Sequence, residues 1–244
     1  MQRRQTFLTG ILFILIFTSC NPGATEKSEI KEPQNHSILG VSVWDRIAAR
    51  SEPSRNSTRV SLLSLGESFV YLDSSAIDSS YNNTRFLKVR LSDSTEVWAY
   101  DFASVLHAKP AVITKEVPLY LRPDLLTITD TRMKIMEIVA VLEEWDDWIK
   151  IVNEKKENTG WIKKEFLTYN AIDLAFALLV KRNMEAEEME QKIDNLESLL
   201  ENNPYPGSVF ISDLKILIDQ QKELLRKNEE ERDRENRDER ERNR

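Results

Sequence analysis

The sequence predicts a mainly β chain with a C-terminal α region: two small β-barrels in tandem, then a helical hairpin and a charged tail. Three observations carry this. Between about Ile38 and Leu167, short runs of alternating apolar residues are broken by polar turns, the texture of small all-β domains. The two halves of that stretch repeat one order of features. After Thr168 the apolar period lengthens from two to between three and four, and helix formers take over. A hydrophobic fraction of 41% and a charged fraction of 31% are those of an ordinary globular protein, so no single large core is demanded. A formal net charge of −7 argues against a nucleic-acid partner, because binding phosphates needs a basic face.

The first element is residues 1–19. Arg3 and Arg4 precede the apolar run Phe7 to Phe17, which is too short to span a bilayer, since a spanning helix needs about 20 apolar residues. A charged start, a short apolar stretch and small residues after it describe an export signal. Thr18-Ser19-Cys20 resembles the lipobox of bacterial lipoproteins, although Phe17 stands where that family usually carries Leu. The resemblance implies cleavage between Ser19 and Cys20, with diacylglycerol and an N-acyl lipid such as palmitate on Cys20. It further implies a chain anchored on a bacterial membrane, the outer membrane facing the periplasm or the cell surface. Cys20 is the only cysteine, so no disulfide forms within one chain. The alternative is an ordinary secretory signal with an incidental cysteine. Two acyl chains or more hold a protein stably where one does not. Residues 20–37 are polar, charged and almost free of large apolar side chains, which makes them a disordered tether.

Two repeats follow, at 38–107 and 108–168. The first contains Ile47 to Pro53, Val60 to Leu72, Phe86 to Leu91 and Val97-Trp98-Ala99; the second contains Leu119 to Pro123, Met133 to Leu142, Trp148 to Val152 and Gly160-Trp161-Ile162. Arg50 aligns with Arg122, Phe86 with Trp148, and Trp98 with Trp161. This order resembles the bacterial SH3-like (SH3b) repeat, whose sequence runs Leu-x-Val-Arg, a Val-rich strand, Trp-x-Lys-Val and Gly-Trp-Val. In the divergent first copy, Val97 stands where the family has Gly, and Asp73 to Asn83 reads as an insertion.

Alternation along a strand puts Leu87, Val89 and Leu91 on one inward face, as it does Ile149 and Ile151. The outer face then carries Phe86 with Lys88 and Arg90, and Trp148 with Lys150. SH3-type domains bind extended peptides in aromatic-lined grooves, and Tyr120, Trp145 and Trp148 are the candidate ligand-binding residues for such a groove. The competing reading has Trp148 and Trp161 covering a barrel end or packing between the barrels, as large aromatics are mostly buried. Asp146-Asp147 reads as a hairpin turn rather than a catalytic or metal pair.

The helical hairpin is expected over 169–226. Its first stripe runs Ile172, Phe176, Leu179, Val180, Met189, Ile193, Leu196, Leu199 and Leu200; Asn202 to Gly207 breaks it; Phe210, Leu214, Leu217, Ile218, Leu224 and Leu225 form the second. Ser208 or Ser212 is the expected cap of the second helix. The run Ala171 to Val180 is expected to meet the second barrel. The stripes pair either with each other or between molecules as a coiled coil, since their spacing drifts from strict heptads. From 227 to 244 acids and arginines interleave, as in Glu230-Arg234 and Asp233-Arg237, supporting a solvated helix that frays toward Arg244.

No catalytic set is present in the sequence. The lone cysteine is assigned to lipid, and His36 and His107 fall in the tether and between the repeats, where neither completes a zinc site. No phosphate-cradling loop or nucleophile elbow occurs. The chain is therefore expected to be no enzyme, with no cofactor and no metal. Two function classes follow. In the first, a non-catalytic binding module of the cell envelope docks onto peptidoglycan peptides or an envelope protein. In the second, a structural or assembly protein makes its contacts through the helical hairpin, with the barrels as spacers.

Overall fold

The computed structural model describes residues 37–243. The expected signal, Cys20, His36 and nearly all of the tether lie outside the described residues. The described chain opens with seven strands: β1 (Ile38–Ser42), β2 (Ile47–Arg50), β3 (Arg59–Leu63), β4 (Ser68–Asp78), β5 (Thr84–Arg90), β6 (Glu96–Tyr100) and β7 (Ser104–Leu106). Seven more follow: β8 (Lys109–Ile113), β9 (Val117–Tyr120), β10 (Ile128–Met133), β11 (Ile138–Trp145), β12 (Trp148–Val152), β13 (Thr159–Lys163) and β14 (Leu167–Thr168). Each set forms one antiparallel sheet. The strand orders are β3-β2-β6-β5-β4-β1-β7 and β10-β9-β13-β12-β11-β8-β14, the same order advanced by seven, so the repeat inferred from sequence is a repeat of topology. Among the described residues no pairing joins the two edges of either sheet, and neither ladder closes on itself.

Register fixes the correspondence residue by residue and shows how two dissimilar sequences fill one plan. Gly40 faces Phe69 in the first sheet, and Ala111 faces Val139 at the same place in the second. A Cβ on Gly40 would lie 2.2 Å from the Phe69 ring, so a large partner demands glycine there, and a smaller one admits alanine. Val97 of the first repeat corresponds by register to Gly160 of the second. An added Cβ on Gly160 would lie 3.0 Å from the Tyr120 carbonyl oxygen and 3.1 Å from the Leu119 Cβ, a close backbone approach that favours glycine there.

Register also corrects one alignment. Arg50 pairs with Trp98 and Tyr120 pairs with Trp161, so Arg50 corresponds to Tyr120 and not to Arg122, which lies past the end of its strand in a loop. The insertion is a longer β4–β5 hairpin: residues 77–85 separate the pair Ala76 and Phe86, where only Asp146 and Asp147 separate Trp145 and Trp148. A bulge between Tyr71 and Ser75, with Asp73 at φ 52°, adds one residue more.

The inward residues are those alternation selects. Leu87, Val89 and Leu91 join Ala49, Leu63 and Phe69 in one core, and Ile149 and Ile151 join Leu119, Met133 and Ile162 in the other. Val41, Val43, Ala108, Ala140 and Val152 form a further buried cluster between the repeats.

The helical region holds three helices and not the expected two-helix hairpin. They are α1 (Ala171–Asn183), α2 (Met189–Glu201) and α3 (Ile211–Arg242). The first stripe is cut because its apolar spacing lapses over Glu185 to Glu188, and because its two halves face different partners. α1, capped by the Asn170 carboxamide accepting from the Ile172 N–H at 2.9 Å, buries Phe176, Ala177 and Val180 against Val112 and Ile138 of the second repeat and Leu65 of the first. α2 packs against α3 through Leu196 and Leu199 with Leu214 and Ile218, within the chain. Neither serine occupies the cap position of α3, which falls on Phe210. Ser208 instead donates to the buried Asp173 at 3.0 Å, and Asp173 also accepts from the Val209 N–H and the Thr168 hydroxyl, so one carboxylate of α1 organises the entry to α3. The tail is the same helix: α3 runs unbroken to Arg242. No helix among the described residues is long and apolar enough to cross a membrane.

Candidate functional site

The outer face of the second sheet is built by a tripeptide used twice. Trp148-Ile149-Lys150 on β12 runs antiparallel to Trp161-Ile162-Lys163 on β13, and the register sets Ile149 opposite Ile162, each Trp opposite the other strand's Lys. The isoleucines point into the core, and alternation turns both tryptophans and both lysines outward. Lys163 Nζ stands 4.1 Å above the Trp148 ring and Lys150 Nζ lies 5.9 Å from that of Trp161, distances at which an ammonium is attracted to the ring face.

Around this centre the structure brings the three predicted residues together unequally. Tyr120 meets Trp148 edge-on with ring centroids 4.9 Å apart, and it pairs laterally with Trp161. Trp148 is only 5% exposed, so it is the floor of the face. Trp145 pairs with Trp148 across the β11–β12 hairpin and is 67% exposed, the one large aromatic of the second sheet left to solvent. Trp148 packs into the sheet face, and Trp145 stands in solvent. Asp146-Asp147 is the turn of this hairpin, with Asp146 in the left-handed region at φ 55°. Asp147 bonds Lys163 at 2.5 Å, and that bond holds its carboxyl below the usual range. Lys150 likewise bonds Glu143 at 2.8 Å. The lysines are held over the rings by acids of the β11–β12 hairpin, Glu143 on β11 and Asp147 in its turn.

Sequence reading set Trp148 with Lys150 on the outer face and named Trp161 beside Trp148, but it missed Lys163 and the reciprocal pairing of the two Trp-Ile-Lys runs. The repeated Trp-Ile-Lys was the available signal, since two copies on adjacent antiparallel strands must place each ring beside a cation. It also missed Leu121, Leu125, Leu126 and Ile128, exposed together between β9 and β10. The arrangement offers flat aromatic surface, fixed cations and acceptors, and no activated nucleophile. No cluster of three or more metal-ligating side chains occurs among the described residues. His107 lies in the turn between the repeats at φ 55°, its N–H donating to the Leu39 carbonyl at 2.7 Å.

No family model matches the chain. No curated protein matches it. Among solved structures it is similar to NlpC2 from Trichomonas vaginalis, at 15% identity with a TM-score of 0.24, covering 68% of this chain and 55% of that one. It is similar also to NlpC1 from the same organism, at 18% identity with a TM-score of 0.25, covering 60% and 52%. The chain thus spans about half the length of each.

Proposed function

We propose that this chain is a membrane-anchored lipoprotein of the bacterial cell envelope, held by lipid on Cys20, and that its two sheets are SH3-like repeats forming a non-catalytic module that binds an extended peptide, with peptidoglycan stem peptides the first candidate. The observation that carries the binding reading is Trp145. A ring two-thirds in water beside a buried Trp148, a half-buried Tyr120 and two oriented lysines adds no closed core, yet it provides the stacking surface and charge that a peptide with free carboxylates uses. The strand order common to both sheets and the Gly160-Trp161 pairing against Tyr120 support the SH3-like reading.

The test uses the chain from residue 20 onward with Cys20→Ser, because α1 covers Leu65, Val112 and Ile138 and the sheets without it would carry a bare apolar surface. Retention on purified sacculi, reduced about tenfold by Trp145→Ala with an unchanged thermal midpoint, is the expected result; a ring stacked at a binding centre is worth about that much. Passage of the unsubstituted chain through sacculi overturns the peptidoglycan reading. Labelled palmitate incorporated by the full chain and absent from Cys20→Ala is expected in cells, and equal labelling overturns the anchor.

A further inference from the structure

The loop between β9 and β10 presents aliphatic side chains that nothing in the fold requires. Leu121 is 70% exposed, Leu125 63%, Leu126 92% and Ile128 57%. The loop is nevertheless rigidly wired. Asp124 accepts from the Leu126 N–H at 2.9 Å, the Thr127 hydroxyl donates to the carbonyls of Arg122 and Asp124, and the Leu121 N–H donates to the Thr127 carbonyl. The first repeat supplies a control within the same molecule. Its corresponding loop, Ser51 to Thr58, is wired alike: the Ser57 hydroxyl donates to Glu52 and Ser54, and the Ser51 N–H to the Thr58 carbonyl. Its outward residues are Glu52, Arg55 and Asn56. One scaffold therefore carries a polar tip in one repeat and a leucine tip in the other.

We propose that the 121–128 loop is a membrane-contacting tip, inserting its leucines into the interfacial layer of the bilayer that carries the anchor; this rests on the lipid-anchor reading above. Four aliphatic side chains held outward on one loop find burial in a medium that yields around them, and exposed apolar groups of this kind mark membrane or protein contacts. Their ordering is already accomplished by the loop's own hydrogen bonds, which lowers the entropic cost of insertion. Arg122 at the base of the tip is exposed and placed to meet phosphate headgroups. Segment 21–36 makes a poor cover for the tip, since Ile30 is its only large apolar residue. Its length favours the bilayer: from Cys20 to Ser37 the chain reaches at most about 60 Å. A compact body of residues 37–226 has a radius of gyration of about 16 Å, well within that reach.

The experiment couples the chain from residue 20 onward, through its single thiol, to maleimide lipid in vesicles of phosphatidylethanolamine and phosphatidylglycerol, and follows amide hydrogen exchange. Exchange across 121–128 is expected to slow several-fold on coupling while 51–58 stays unchanged, and Leu125→Ser with Leu126→Ser should abolish the slowing without moving the thermal midpoint. Equal exchange in coupled and uncoupled chains overturns the proposal. So does the same slowing without vesicles as protein concentration rises, which would assign the tip to a second copy. Because the coupling is chemical, this outcome is independent of whether cells lipidate Cys20, which palmitate labelling decides separately.

Discussion

In the first repeat the strand position at the start of β5 holds Phe86, fully buried beneath Tyr100 with centroids 4.5 Å apart, and Trp44 and Phe102 close over that pair. In the second repeat the same position holds Trp148, with Lys163 where the first has Tyr100 and Trp145 where it has Ala76. The first repeat buries Phe86 and Tyr100 under neighbouring rings, although Phe102 itself stays 46% exposed; the second leaves Trp145 67% exposed beside a loop of exposed leucines. Since strand order and turn wiring are shared, the difference is one of side chains laid on a common frame, and it separates packing surface from surface that can be spared for contacts. The strongest way to break this comparison is to truncate both sides of it. Phe86→Ala should cost about 3–5 kcal/mol in urea unfolding, as for other buried aromatics. Trp145→Ala should stay within about 0.5 kcal/mol. Similar losses at the two sites would show that Trp145 is structural and remove the basis of the binding face.

The second comparison is inside the cores, where size is traded across a strand pair. Gly40→Ala places a methyl against the buried Phe69 ring and should cost about 1–3 kcal/mol by overpacking. Phe69→Val alone should cost about as much by opening a cavity. Together the two recreate the Ala111 and Val139 pair of the second repeat, so the double variant should lose clearly less than the sum, with a coupling of about 1 kcal/mol or more. Simple additivity would mean that the register correspondence between the repeats does not describe how they pack.

Much of this fold was legible in the sequence because it rests on period. Alternation alone placed Leu87, Val89, Ile149 and Ile151 inside, and the order of motifs revealed the two repeats. Contacts distant in sequence were not legible. That Gly160 lies where an added Cβ would come within 3.0 Å of the Tyr120 carbonyl oxygen cannot be read from its own strand. The division of the first helical stripe was hidden for the same reason: α1 turns its face to Leu65 and Ile138, and periodicity does not tell which partner a stripe will find. Of the candidate site, the three aromatics were found by their residue type. Whether each would be floor or rim depended on the short β11–β12 turn and on lysines supplied by neighbouring strands.

A smaller effect distinguishes how the repeats meet the helices. In the first, Asp45 accepts from the Leu65 N–H at 3.1 Å and is clasped by Arg182 of α1 at 2.8 and 3.0 Å. Its counterpart in the second repeat, Glu116, is exposed and pairs only with Arg132. Burial alone would raise the Asp45 carboxyl, but the Arg182 and Leu65 hydrogen bonds outweigh it and bring the pKa from 3.8 to about 2. A depressed carboxylate contributes stability above its unfolded value and loses it as the pH falls through the folded one. Allowing for solvent around the one-third-exposed Arg182, about 1–2 kcal/mol should disappear between pH 4 and 2. Asp45→Asn should flatten that part of the acid limb. Glu67 acts with the opposite sign, because burial pushes its carboxyl up against the pull of the Ser64 N–H, and protonation there favours the folded chain. Glu67→Gln should therefore remove a gain in stability on acidification and leave the Asp45 slope in place.

The smallest expected effect belongs to the end of α3, and its smallness is informative. Leu214 and Ile218 bury their side chains against α2, while every side chain from Glu223 to Arg242 except the partly covered Leu225 is exposed. What holds that stretch helical is local: Glu223 bonds Arg226 at 2.7 Å, Arg226 also bonds Glu230, and Lys227 lies 3.4 Å from Glu223. Such exposed pairs are screened and support helix content rather than tertiary structure. A chain ending at Lys227 should lose far-ultraviolet helical signal in proportion to the residues removed and keep its thermal midpoint within about 1 °C. The exchange rates of 51–58 and 121–128 should also be unchanged. A drop of several degrees would mean that the charged helix end carries packing interactions of its own, and the contrast between the repeats would then need to include it.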